Sequence, residues 1–217
     1  MQQGLVRPPA VAGAFYPANP ATLAADVAEF LKAAETRLPR GKRAAPAALI
    51  APHAGYIYSG AIAADAYARL AHRASEYRRV VIIGPAHRVA FRGIAVSSAR
   101  AFATPLGEVE QDQAAIKRIL DLPLVHVHDE AHAQEHSIEV HLPFLQSVLT
   151  QFKIVALVAG QVPDDDIAQV LERLADGPGT LLVVSTDLSH YLDYATAQRT
   201  DAATVEAIAA LAGDRIG

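Results

Sequence analysis

Cysteine and tryptophan are absent from the 217 residues, and methionine occurs once. Without a thiol, disulfides, zinc ribbons and cysteine nucleophiles are excluded within this sequence. Charge is scarce too: Asp, Glu, Lys and Arg make up 19%, with a formal net charge of −4. The largest basic stretch is the short "RGKRAAP" at 40–46, which reads as a solvated loop, so no nucleic-acid footprint is visible. No apolar run approaches the ~20 residues of a membrane span. The opening "MQQGLVRPPAV" has no apolar core of a signal peptide. The expectation is a cytoplasmic protein with neither a membrane nor a nucleic acid as partner. Three catalytic signatures are missing as well: a Walker A loop, a GxGxxG turn after a strand and a GxSxG elbow.

What is present is apolar. Residues classed as hydrophobic reach 52%, enough for a sizeable core in one domain or two small ones. Asn19-Pro20 reads as an N-cap and first-turn proline for a helix over 20–34. Residues 47–51 form an unbroken apolar run, the pattern of a strand covered on both faces. Ser59 is placed to cap a helix to about Leu70. Strands follow at 79–84 and 93–98, then a turn near Pro105-Leu106-Gly107 and a helix near 111–120. Ser137 to Leu149 has helical spacing, with Pro143 expected to bend or divide it. A strand at 153–160, a helix opened by Pro163-Asp164-Asp165-Asp166, a strand at 180–187 and a helix at 196–212 complete the pattern. Such alternation predicts an α/β fold with a mostly parallel central sheet flanked by helices on both faces. In open sheets of this kind, ligands bind beyond the carboxyl ends of the strands.

The titratable groups fall at that edge. His53 follows the 47–51 strand in "APHAG", and His87 follows the 79–84 strand in "GPAHR". Asp187 and His190 follow the 180s strand in "STDLSHY". Each of the first two histidines sits behind a proline, which stiffens the approach, and rigid delivery is what metal ligands need. Two neutral imidazoles and one anion with open positions suit non-heme Fe(II) or catalytic Zn(II). Asp187 is either that anion or a group orienting a ligand from behind, and His190 is placed to act as acid or base.

A second cluster lies in "HDEAHAQEHSIEVH", 128–141. Within it His132, Glu135 and His136 match H-x-x-E-H, the inverted zinc-protease motif. The competing reading makes Glu135 and His136 part of a pocket rim, with Ile138, Val140 and Leu142 in the core. His72 and His126 read as structural or exposed. Ser189 adjoins His190, a spacing that rarely makes a nucleophile–base pair.

Six blocks occur in order: "RPPAVAGAFYP", "APHAGYIYSG", "GPAHR", "TPLGEVEQD", "EHSIEVHLPFLQ" and "STDLSHY". Together they resemble the Memo family, whose prokaryotic members are called AmmeMemoRadiSam system protein B. The resemblance runs from about Arg7 to the C-terminus and implies one Memo-like domain over 1–217. It implies a fold related to LigB-type class III extradiol dioxygenases, non-heme iron enzymes in which two histidines and a glutamate hold the metal. Memo proteins are similar but carry a cysteine in place of that glutamate. By motif, His53 and His87 match the histidine ligands and His190 matches the acid/base histidine, with Asp187 beside it. His136 and Glu135 belong to a block that lines the pocket. The family's cysteine, typically in a Cys-Gly pair, follows the helix that here is 196–212. This sequence stops at Gly217 without it and without the family's last strand and helix, so truncation is the expectation.

What the resemblance implies is a metal-binding, redox-active protein, with Fe(II) as the expected cofactor and copper or zinc as alternatives. A small molecule or peptide is the expected ligand, and the family name points to AMMECR-type and radical-SAM protein partners. Two alternatives stand beside it: a non-catalytic module that binds a peptide or partner in the same pocket, and a zinc hydrolase built on the H-x-x-E-H segment.

Overall fold

The strand that feeds His87 owes its position to residues that have no polar alternative. In the computed structural model, which describes residues 4–39 and 44–213, that strand is one of nine. Arg40–Arg43, the charged part of the expected basic loop, lies outside the described residues. The chain begins with β1 (Val6–Arg7), α1 (Pro20–Arg37), β2 (Ala48–Ala51), α2 (Tyr56–Tyr67), a 3-10 stretch (Ala68–Glu76) and β3 (Arg79–Pro85). It continues through β4 (Ile94–Val96), β5 (Ala101–Thr104), β6 (Gly107–Glu110), α3 (Gln113–Lys117), β7 (Val125–Val127) and α4 (Asp129–Ala133). A 3-10 turn (Glu139–His141), α5 (Leu142–Val148), β8 (Lys153–Ala159), α6 (Asp164–Leu174), β9 (Thr180–Ser185) and α7 (Tyr194–Ala209) follow. Two compact units result, Met1–Thr186 and Asp187–Gly217.

In the first unit the main sheet has the order β2-β9-β3-β8-β4-β7, and a smaller one has the order β1-β5-β6. Four of the main sheet's neighbouring pairs are parallel, and β4 runs antiparallel to β8. The sheet is therefore mixed, though mostly parallel as expected. Connection length explains the exception. β3 ends at residue 85 and β4 starts at 94, leaving residues 86–93 between them. That is short of the dozen or so that a parallel crossover needs, so β4 must turn back from the same edge.

Alternate side chains of the central strands feed two cores. Val80 and Ile82 of β3 join Leu23 and Val27 of α1, Tyr67 of α2 and Leu145 of α5. Val81 and Ile83 join Ile116 of α3 and Val170 and Leu174 of α6 on the other face. A strand covered on both sides reads as an unbroken apolar run, and each fully buried Ile or Val stabilises the fold by roughly 1.5–3 kcal/mol. β2 corrects one expectation. It lies at the sheet edge, and only Leu49 and Ala51 are buried, while Ile50 is 44% exposed.

Helix boundaries follow local chemistry. Asn19 caps α1 as read from the sequence, its Oδ1 accepting from the Ala21 and Thr22 N–H groups at 3.0 Å. Asn19→Ala is expected to cost about 1 kcal/mol, measurable as a shift in urea midpoint at constant m-value. Ser59 does not cap α2: the helix starts three residues earlier behind Gly55, and the Ser59 hydroxyl donates to the Ala54 carbonyl at 2.8 Å. Pro143 divides the 137–149 segment, as its missing N–H dictates. The 3-10 turn precedes it, and the proline occupies the first turn of α5.

The second unit carries α7, capped by Asp193, whose Oδ1 accepts from Thr196 N–H at 3.1 Å. Among the described residues no helix is long and apolar enough to cross a membrane.

Candidate metal centre

Pro52 follows the last residue of β2 and delivers His53, and β3 runs through Pro85 to deliver His87 two residues later. In the sheet, β2 and β3 run parallel with only β9 between them, so both histidines emerge at the same carboxyl edge. The third arrival comes from the segment after α4. There His136 packs its ring against His87, with centroids 4.4 Å apart and planes at 28°. His53 lies edge-on to both, at 5.1 Å from His87 and 5.6 Å from His136. One ring nitrogen from each of His53, His87 and His136 lies within 4.8 Å of the other two. His53 is buried, His136 is 9% exposed and the His87 side chain is 35% exposed, so the cluster opens to solvent through His87.

Two of the imidazoles are held from behind. His53 Nδ1 lies 2.8 Å from Ser185 Oγ, at the end of β9, and that hydroxyl donates to the Ser137 carbonyl at 2.6 Å. Glu135 holds His87 twice: Oε2 accepts from the backbone N–H at 2.6 Å, and Oε1 lies 2.8 Å from Nδ1. The same Oε1 accepts from the N–H groups of His136 and Ser137 at 2.9 Å. Phe15 closes over His136 at 4.6 Å between centroids. Gly84 makes the floor possible. A Cβ on it would stand 2.7 Å from Ser137 Oγ and 2.8 Å from Ser137 Cβ, closer than side chains tolerate.

Electrostatics follow from these contacts. Burial by itself would raise the Glu135 carboxyl, but the His87 backbone and ring and the Ser137 N–H outweigh it and hold the group below the ordinary range. His136 is pushed down to about 4, chiefly by burial, against the pull of Glu135. It is neutral at physiological pH, the form in which an imidazole binds a metal. His136 Nδ1 stands 3.3 Å from Glu135 Oε1, yet among the described residues it has no hydrogen-bond partner.

His53 and His87 come together as the sequence indicated, and His136 and Glu135 lie against them. The H-x-x-E-H arrangement does not form. α4 ends at Ala133, so His132 and His136 do not share a helix. His132 is 1% exposed, its Nε2 lies 3.0 Å from the Ala95 carbonyl, and its ring packs on Phe102. Glu135 is fully engaged by its four donors and is not placed as a base. Ile138, Val140 and Leu142 are buried in the core, as the competing reading held. Asp187 and His190 belong to the second unit, where His190 Nε2 and Asp187 Oδ2 are 3.9 Å apart, beyond hydrogen-bond reach. Ser185 and Ser137 were passed over in the sequence. Both stand in quoted blocks, but an uncharged hydroxyl gives no signal until the register of β9 places it behind His53.

A mostly parallel α/β sheet with three converging imidazoles beyond its strand ends defines a class of candidate metal-site proteins. Comparison places the chain within it. The family model for Memo-like proteins matches residues 7–216. A MEMO1 family protein of Thermotoga sp. (strain RQ2) is 38% identical over 218 residues, spanning 93% of this chain and 76% of the relative. MEMO1 family proteins of Thermotoga maritima and Aquifex aeolicus are 39% and 36% identical, with 93% and 94% of this chain covered and 76% and 74% of theirs. The chain belongs to the Memo family.

Proposed function

We propose that this protein binds a divalent transition metal on His53, His87 and His136 and uses it for redox chemistry, with Fe(II) as the resident ion. The observation that carries the reading is the convergence of three ring nitrogens within 4.8 Å. The donor set fits: His136 is kept neutral by burial, and its buried Nδ1 lacks a protein partner among the described residues. Imidazole donors suit Fe, Zn, Cu and Ni. Such an ion, when bound, supplies Lewis acidity, electron transfer and open positions for dioxygen or a substrate donor. The three imidazoles hold its position, Glu135 adds a fixed negative charge behind His87, and His53 is the buried member of the set. His190 is the proton-transfer group and Asp187 its neighbour, roles that rest on the family resemblance. AMMECR-type and radical-SAM proteins are the partners that the resemblance supports.

The test is anaerobic loading with Fe(II), Zn(II) or Cu(II) and elemental analysis after desalting. Wild-type chain is expected to retain close to one ion, and the His53→Ala/His87→Ala double variant to lose affinity by at least 100-fold. Equal retention by the double variant, with folding intact, ends the proposal.

One observation favours a second reading, a peptide-binding module. Ile57, Tyr58 and Ile62 of α2, shortly after His53, are 87%, 81% and 61% exposed. Steady oxygen consumption with a phenolic or thiol reductant would separate an enzyme from such a module.

A further inference from the structure

The two strand-borne imidazoles are each gripped at Nδ1 by a group that can only accept there. A carboxylate has no proton to give, so at 2.8 Å from Glu135 Oε1 the His87 Nδ1 must be the donor. Glu135 stays ionised, because the His87, His136 and Ser137 backbone N–H groups all point at it. Ser185 reaches the same result by a different route. A hydroxyl has one hydrogen, and a carbonyl can only accept. The 2.6 Å bond to the Ser137 carbonyl therefore commits the Ser185 hydrogen, and Ser185 Oγ meets His53 Nδ1 as an acceptor.

We infer that Glu135 and Ser185 are positioning residues that fix His87 and His53 in the Nδ1–H tautomer, which makes Nε2 the ligating atom of both. The consequence for metal affinity rests on the metal-binding reading above; the tautomers themselves do not. A ring whose Nδ1 proton is tied down presents one lone pair in one orientation, and loss of such outer partners typically weakens metal binding 10–100-fold. In the wrong tautomer two lone pairs would face each other at 2.8 Å.

The test is a long-range 1H–15N correlation spectrum of the metal-free full chain at about pH 8, above the ordinary imidazole pKa of ~6.5. The two rings are assigned from His53→Gln and His87→Gln spectra. Both are expected to show Nδ1 protonated and Nε2 unprotonated. Glu135→Gln should shift part of the His87 population to the other tautomer and leave His53 alone; Ser185→Ala should do the reverse. Each substitution should also weaken Co(II) binding 10–100-fold in optical titrations. An Nε2–H ring at either position in the wild type overturns the inference, as does a ring that ignores loss of its own partner. Should Glu135→Gln fail to fold, the wild-type spectrum and Ser185→Ala still decide. Correct tautomers in a chain that binds neither Co(II) nor Zn(II) uphold the positioning roles and defeat the metal reading instead.

Discussion

Glu139→Ala is expected to lower the free energy of unfolding by about 3–5 kcal/mol, the range for removing one partner of a buried ion pair. Glu139 is fully buried and sits at the centre of a clasp. Its carboxylate pairs with Arg7 and accepts from the Tyr16 hydroxyl. It also accepts from the N–H groups of Ala10 at 2.7 Å and Val11 at 3.0 Å. Arg7 in turn donates to the carbonyls of His132 and Glu135 and lies over the Phe102 ring. The clasp thus ties the N-terminal segment to the chain that carries His136. Alanine would strip a buried guanidinium of its counter-charge and leave two backbone donors and the Tyr16 hydroxyl without their acceptor, whereas Tyr16→Phe, which removes one bond, should cost only about 1 kcal/mol. For a chain of this size the larger loss corresponds to a fall in Tm of roughly 10 °C. Guanidinium denaturation checks it: a loss under 1 kcal/mol would show that the clasp is decorative. Because Glu139 has no acceptor capacity left for a substrate, its effect belongs on stability, and a folded variant should retain the His53–His87 pair.

This clasp shows why some of the molecule was legible in the sequence and some was not. The central strands could be read because apolar runs such as "RVVIIG" have only one stable fate, burial on both faces of a sheet. Their ends then located His53 and His87, since a proline after each run fixes where the side chain leaves. The antiparallel β4 was hidden in a connection length whose meaning depends on which strand lies next to it. The small β1-β5-β6 sheet was hidden for a similar reason: β1 is two residues long and pairs with residues almost a hundred positions away. His136 was legible only as a pocket-lining group. It lies outside a helix or strand, so no periodicity points it anywhere, and its segment is held by long-range contacts, Arg7 to the Glu135 carbonyl and the Glu135 carboxylate to His87. The H-x-x-E-H match failed for the same reason, because the helix it needed stops at Ala133.

The second large effect is acid unfolding at a pH higher than carboxylates alone would set. His132 is held down to about 4, first by burial and then by the Arg7 charge, against its bond to the Ala95 carbonyl. His141, whose Nδ1 meets the Tyr67 hydroxyl at 2.8 Å, is held at about 3, chiefly by burial and further by His53. Both therefore stay neutral in the folded chain while the unfolded chain protonates them near 6.5. A depressed pKa contributes stability that is fully present above the unfolded value and is lost as pH falls toward the folded one. The window here runs from about pH 6.5 down to about 4, and by pH 4 each histidine costs roughly 3 kcal/mol, a large share of a typical 5–15 kcal/mol. The acids Asp112, Asp129 and Glu135 have folded pKa values below the ordinary range, so their contribution is lost only at lower pH, as their folded pKa values are crossed. His136, at about 4, adds to the same slope, so the measurement belongs on metal-free chain with chelator present. Denaturation midpoints should change little from pH 7.5 to 7 and fall steadily from about pH 6.5 to 4.5, each histidine adding up to about 1.4 kcal/mol per pH unit. His132→Gln keeps an N–H for the Ala95 carbonyl and removes one titrating group, so its slope should be shallower by that amount. A midpoint that stays flat between pH 6.5 and 5, or a slope untouched by His132→Gln, would mean that these rings take up protons without unfolding the core around them.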